Sequence, residues 1–127
     1  MAWLLALLLA AGCGSSRAAD SPVKRDLLRG IAQIRATHDP KRLHAEVEQT
    51  LASLRRDHAS TAAERRARRL AIEGFAAELK GLRSRLDFTE NDSGNVAAAT
   101  RDAVRADRYL TRAASRLRAA RRALDEG

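Results

Sequence analysis

Aromatic residues make up only 3% of this 127-residue chain, and its one cysteine, Cys13, lies near the start. Strands favour aromatic and β-branched side chains, so a β-sandwich or barrel is excluded. Without a second cysteine there is neither a disulfide framework nor a thiolate zinc site. The length allows one domain at most and leaves no room for a large enclosed catalytic core. Proline occurs only as Pro22 and Pro40. No glycine-rich phosphate loop, Ser/His/Asp arrangement or haem-attachment motif is present, which points away from catalysis. No motif asks for a cofactor. Acidic residues are outnumbered, 16 against 24 basic ones, for a net charge of +8. Of the basic residues only Lys24, Lys41 and Lys80 are lysine, and 21 are arginine. An Arg and Ala excess also follows from G+C-rich coding, so it does not by itself argue for bidentate anion recognition. The net field is physical whatever its origin, and it favours anionic partners such as phospholipid headgroups, acidic wall polymers or nucleic acid.

The run from Ala2 to Ala11 is apolar and uncharged. Ten helical residues rise ~15 Å, half the hydrocarbon thickness of a bilayer, so the run suits the apolar region of a secretory signal and not a spanning anchor. It passes through Ala10-Ala11-Gly12-Cys13 and turns polar at Gly14-Ser15-Ser16-Arg17. This pattern resembles the signal peptides of bacterial lipoproteins, whose lipobox ends in a small residue followed by the cysteine that receives diacylglycerol. The resemblance covers the first 13 residues and implies anchoring, not activity. It divides the chain into a signal peptide over 1–12, an acylated Cys13 with a flexible tether over 13–20, and a helical domain over 21–127. Two or more acyl chains hold a protein stably, which places the domain on the outer side of a cell membrane. The segment removed is uncharged, so the mature chain keeps the full +8. The competing readings are a secreted chain without lipid and a cytosolic chain with a lone thiol.

Beyond the tether every apolar pattern has helical period. Ser21-Pro22 reads as an N-cap with proline in the first turn, and Val23, Leu27, Ile31, Ile34 and His38 follow on one stripe. Asp39-Pro40 repeats the signal and opens a second helix with Leu43, Val47, Leu51, Leu54 and His58. Thr61-Ala62-Ala63-Glu64 has capping-box spacing and opens a third, whose face runs Ala63, Ala67, Leu70, Phe75, Leu79, Leu82 and Leu86. Turn formers from Thr89 to Asn95 predict a loop. In the last helix Val96, Ala99, Ala103, Ala106, Leu110, Ala113, Leu117, Ala120 and Leu124 alternate three and four apart. Alanine at so many seam positions allows close helix approach but buries little area at each. Two shorter and two longer helices predict an all-α fold, an antiparallel four-helix bundle in which the third and fourth form a long hairpin and the first two pack along part of it. The alternative is a hairpin or coiled coil that completes its core as a homodimer or with another protein partner.

Few polar residues form a pattern. His44 and Glu48 are spaced i, i+4, but two ligands on one face do not make a metal site, and a solvated pair is expected. His38 and His58 are placed at helix C-termini on the apolar stripe, where the dipole favours them. The acidic stretch from Asp87 to Asp92 lacks EF-hand order and is read as a capped turn, with Phe88 tucked back as a lid. The basic residues are more regular. Arg101, Arg105, Arg108 and Arg112 fall on the outer face of the last helix, diluted by Asp102 and Asp107. Arg65, Arg66, Arg68 and Arg69 open the third helix, compensated by Glu64 and by an i, i+4 pair of Arg69 with Glu73. The first row is either a solvated face or a surface for anionic headgroups or wall polymer beside the lipid anchor. Two other functions are kept open: a soluble basic nucleic-acid-binding protein, disfavoured because only Phe75, Phe88 and Tyr109 could stack on bases, and a bundle that carries a small ligand or metal.

Overall fold

The computed structural model describes residues 21–91 and 94–127. The expected signal peptide, Cys13 and tether lie outside the described residues. Ser21 Oγ accepts from the Lys24 N–H at 3.5 Å and Pro22 begins α1, Pro22–Ala36. Asp39 Oδ1 accepts from the Lys41 N–H at 3.2 Å and opens α2, Pro40–Arg56. The capping box forms at α3, Ala62–Glu90: Thr61 Oγ1 accepts from the Glu64 N–H at 3.1 Å. The Glu64 carboxylate reaches back to the Ser60 N–H and hydroxyl, at 2.9 and 3.1 Å. Asn95 caps α4, Val96–Asp125.

Sequential helices pack side by side, α1 also reaches α3 and α4, and α2 and α4 lie out of contact. The result is the expected antiparallel four-helix bundle, dominated by the α3–α4 hairpin. Its core joins Val23 and Leu27 of α1, Leu43, Val47, Leu51 and Leu54 of α2, Phe75 and Leu82 of α3, and Leu117 of α4. Alanines 67, 71, 120 and 123 fill the close approaches. Glycines carry much of this intimacy. A Cβ on Gly74 would sit 2.7 Å from Leu117, and one on Gly81 would sit 2.6 Å from Leu110, so two leucines of α4 enter holes seven residues apart on α3. A Cβ on Gly30 would collide with the Phe75 ring, so α1 crosses α3 at a residue without a side chain. Between α1 and α2 the buried Thr50 hydroxyl donates to Gln33 Oε1 at 3.0 Å.

The short helices do not run the length of the long ones. At 15 and 17 residues against 29 and 30, α1 and α2 span ~25 Å beside a hairpin of ~44 Å. Among the described residues, nothing in α3 after Ser84 and nothing in α4 before Ala106 is buried. The predicted α4 seam is therefore buried only from Ala106 onward: Val96 is 76% exposed and Ala103 is also exposed. Phe88, expected as a lid, is 45% exposed within α3, and α2 approaches that end only through the Lys41 side chain, whose Nζ lies 3.4 Å from Glu90 Oε1. The histidines are also displaced. Helix α1 ends at Ala36 and α2 at Arg56, where Thr37 and Asp57 adopt extended backbone, so His38 and His58 are exposed residues of the connections and not members of the stripes.

Candidate anion-binding face

Four side chains of α4, Arg101, Arg105, Arg108 and Arg112, are all exposed. Steps of four, three and four residues keep them within one narrow stripe, ~16 Å long. With Thr100, Val104 and Tyr109 they line a half-open depression of about 560 Å³. All its walls come from one helix, so its shape follows the arginine rotamers and suits an extended polyanion better than one enclosed small molecule. None of the four makes an ion pair or hydrogen bond to another described residue. Asp102 and Asp107 are sequence neighbours but do not pair with them. The row continues around Tyr109, where Lys80 Nζ of α3 lies 5.7 Å from the ring centroid. Lys80 and Arg116 share a groove there with Tyr109 and Arg112. Sequence spacing missed Lys80, because its approach depends on how α3 and α4 dock.

In the second basic cluster Arg65 and Arg68 are spent on the fold, whereas Arg66 and Arg69 are exposed and pair with no other described residue. Arg68 Nε donates to the Leu54 carbonyl at 2.7 Å and its Nη2 to the Arg55 carbonyl at 2.6 Å, closing the C-terminus of α2. Arg65 Nη1 donates to the Ser60 carbonyl at 3.1 Å. Glu73, expected to pair with Arg69, instead meets Arg116 of α4 at 3.4 Å. His44 Nδ1 lies 3.8 Å from Glu48 Oε1, a lone pair on one helix face. Among the described residues there is no group of three or more metal-ligating side chains.

Two buried acids, Asp26 and Glu78, and the half-buried Asp57 complete the electrostatics, and periodicity gave no hint of them. Asp26, 3% exposed on α1, pairs with Arg29 at 2.8 Å and more loosely with Arg25 at 3.9 Å. Asp57 at the end of α2 faces it, with Oδ2 buried and lacking a hydrogen-bond donor. Burial first, and the adjoining Asp26 carboxyl second, push Asp57 up to about 6 against the pull of Arg25 and Arg68. A proton on Asp57 would supply the missing donor between the two carboxyls. Glu78 of α3, 6% exposed, is raised by burial and drawn back by Arg85.

No helix of the described residues is long and apolar enough to cross a membrane. No protein-family model, curated protein or solved structure matches the chain.

Proposed function

We propose that the chain is a bacterial envelope lipoprotein, exported by its leader and held through acylated Cys13, whose helical domain acts by binding and not by catalysis. Its α4 row lies against anionic headgroups or acidic wall polymer. The observation that carries this reading is the row itself, four exposed arginines on one stripe of α4 that line a single depression. Arg65 and Arg68 serve helix ends, whereas Arg101, Arg105, Arg108 and Arg112 have no partner among the described residues. Each basic side chain near an acidic membrane contributes about 1 kcal/mol, so four acting together hold a domain that an acyl anchor already keeps close.

Two measurements test the proposal. Cells grown with a clickable fatty acid label the parent chain and not Cys13→Ser; equal absence of label removes the anchor. For the face, the fragment 21–127 binds vesicles rich in phosphatidylglycerol, and changing all four arginines to glutamate lowers that binding by at least tenfold at low salt. Equal binding by variant and parent leaves only a solvated surface. Phosphate is common to headgroups and nucleic acid, so duplex DNA is titrated in parallel; retention of DNA without vesicle binding transfers the face to nucleic acid.

A further inference from the structure

Helix α1 packs chiefly along α2 and meets α4 only sparsely. Between α1 and α4 lies a half-open groove of about 220 Å³, with Ile31 and Ile34 on one side and Ala114 and Leu117 on the other. Ala114 is exposed and offers only a methyl across the gap. The charged part of the lining is wholly cationic: Arg35 from α1, and Arg118 and Arg121 from α4, all exposed. None of the three makes an ion pair or hydrogen bond with another described residue. The α4 row of Arg101 to Arg112 stands on one helix, whereas these arginines come from two helices and border an apolar strip. The strip does not end there. Ile34, Ala114 and Leu117 also line an adjoining groove of about 360 Å³, which adds Leu43, Leu82 and Leu110. That second part holds the buried Glu78 carboxyl together with Arg85, which acts on it electrostatically. Charge at the Glu78 end is thus met from within the protein, and charge at the Arg35 end is not.

We propose that this groove binds a single-chain amphipathic anion, its oxyanion head on Arg35, Arg118 and Arg121 and its hydrocarbon along Ile34 and Leu117 toward Leu82. The head is anionic because three guanidinium groups, each a planar fork of donors suited to carboxylate or phosphate, gather there without a counter-charge. The remainder is hydrocarbon because the path away from them is walled by isoleucine, leucine and alanine. The direction is fixed as well, since a negative head at the far end would meet the Glu78 carboxylate. At ~30 Å³ for a water-sized volume, the first part holds on the order of seven non-hydrogen atoms, so a chain of about eight carbons passes into the second. The site shares no lining residue with the α4 row and does not depend on it.

The full chain, held in phosphatidylcholine nanodiscs, is titrated with octanoate while isoleucine and leucine methyl resonances are followed by NMR. Saturable one-to-one shifts of Ile31, Ile34 and Leu117 are expected, with octanol and octylammonium binding at least tenfold more weakly. Octyl phosphate is titrated in parallel, and the tighter of the two anions identifies the head. Arg118→Gln combined with Arg121→Gln, both at exposed positions, leaves the fold intact and weakens octanoate by at least tenfold. The same loss of charge at the exposed Arg66 and Arg69 leaves octanoate affinity as in the parent, which separates the groove from the net field of the chain. Ala114→Phe fills the groove from an exposed position, keeps the three arginines, and weakens binding equally. Octylammonium binding as tightly as octanoate, octanoate affinity unchanged by loss of Arg118 and Arg121, or no saturable shift with either anion overturns the proposal.

Discussion

Single residues here are best understood by asking where their charge can go. Asp57 sits against Asp26 with a buried oxygen, and the native state holds a proton there that the unfolded chain releases. Its contribution to stability is fully present below the ordinary value of 3.8 and is lost as pH rises through about 6. At neutral pH, Asp57 is a burden on the fold that Arg25 and Arg68 only partly offset. Asp57→Asn keeps the shape, supplies a donor to Asp26 and removes the charge. Thermal melts should show the variant more stable than the parent at about pH 7.5, with the difference closing near pH 4. A parent that gains stability steadily across that window would contradict the arrangement. None of this was visible in the sequence, because Asp26 and Asp57 are far apart in the chain and meet only when α1 lies antiparallel to α2.

The elements were far more legible. Both prolines begin helices, each preceded by its capping side chain, and Thr61 with Glu64 forms the box its spacing announced. These are local interactions, satisfied within one turn, so they could be placed without knowing the fold. What periodicity could not show was the use of glycine inside α3. Gly81 lies mid-helix, where alanine would normally gain ~1 kcal/mol in helix propensity. Here the new methyl would meet Leu110 at 2.6 Å. Gly81→Ala should therefore destabilise the protein by about 1–3 kcal/mol in urea titrations, because the hairpin must separate to admit it. Gly94 differs: its φ of +66° lies in the left-handed region, with open space around it, so Gly94→Ala costs backbone strain alone.

Across the whole molecule, stability is unevenly distributed. One end is a closed bundle built on Phe75, Leu27, Leu54 and Leu82, while the other is a two-helix hairpin with Phe88, Val96 and Val104 exposed. Leu54→Ala in the closed half should cost ~2–5 kcal/mol, whereas Val96→Ser at the tip should fall within ~0.5 kcal/mol of the parent. Amide exchange should be fastest from Phe88 to Ala103 and slowest around Phe75, since few apolar contacts hold the tip closed. Uniform protection along the hairpin would mean that something else covers its end. The arginine row begins on this open half, at Arg101, and runs to Arg112 beside the closed one.

The sequence by itself determined the helices, their starts, the long hairpin with two shorter partners, and the four arginines on one stripe. Each of these follows from spacing within a single helix, and a helix repeats its geometry wherever it lies. Only the tertiary structure decided which half of the α4 seam is buried, which arginines cap helices, and which acids lose contact with water. Those outcomes depend on where one helix stops against another, and this is set by the summed packing of residues distant in the chain.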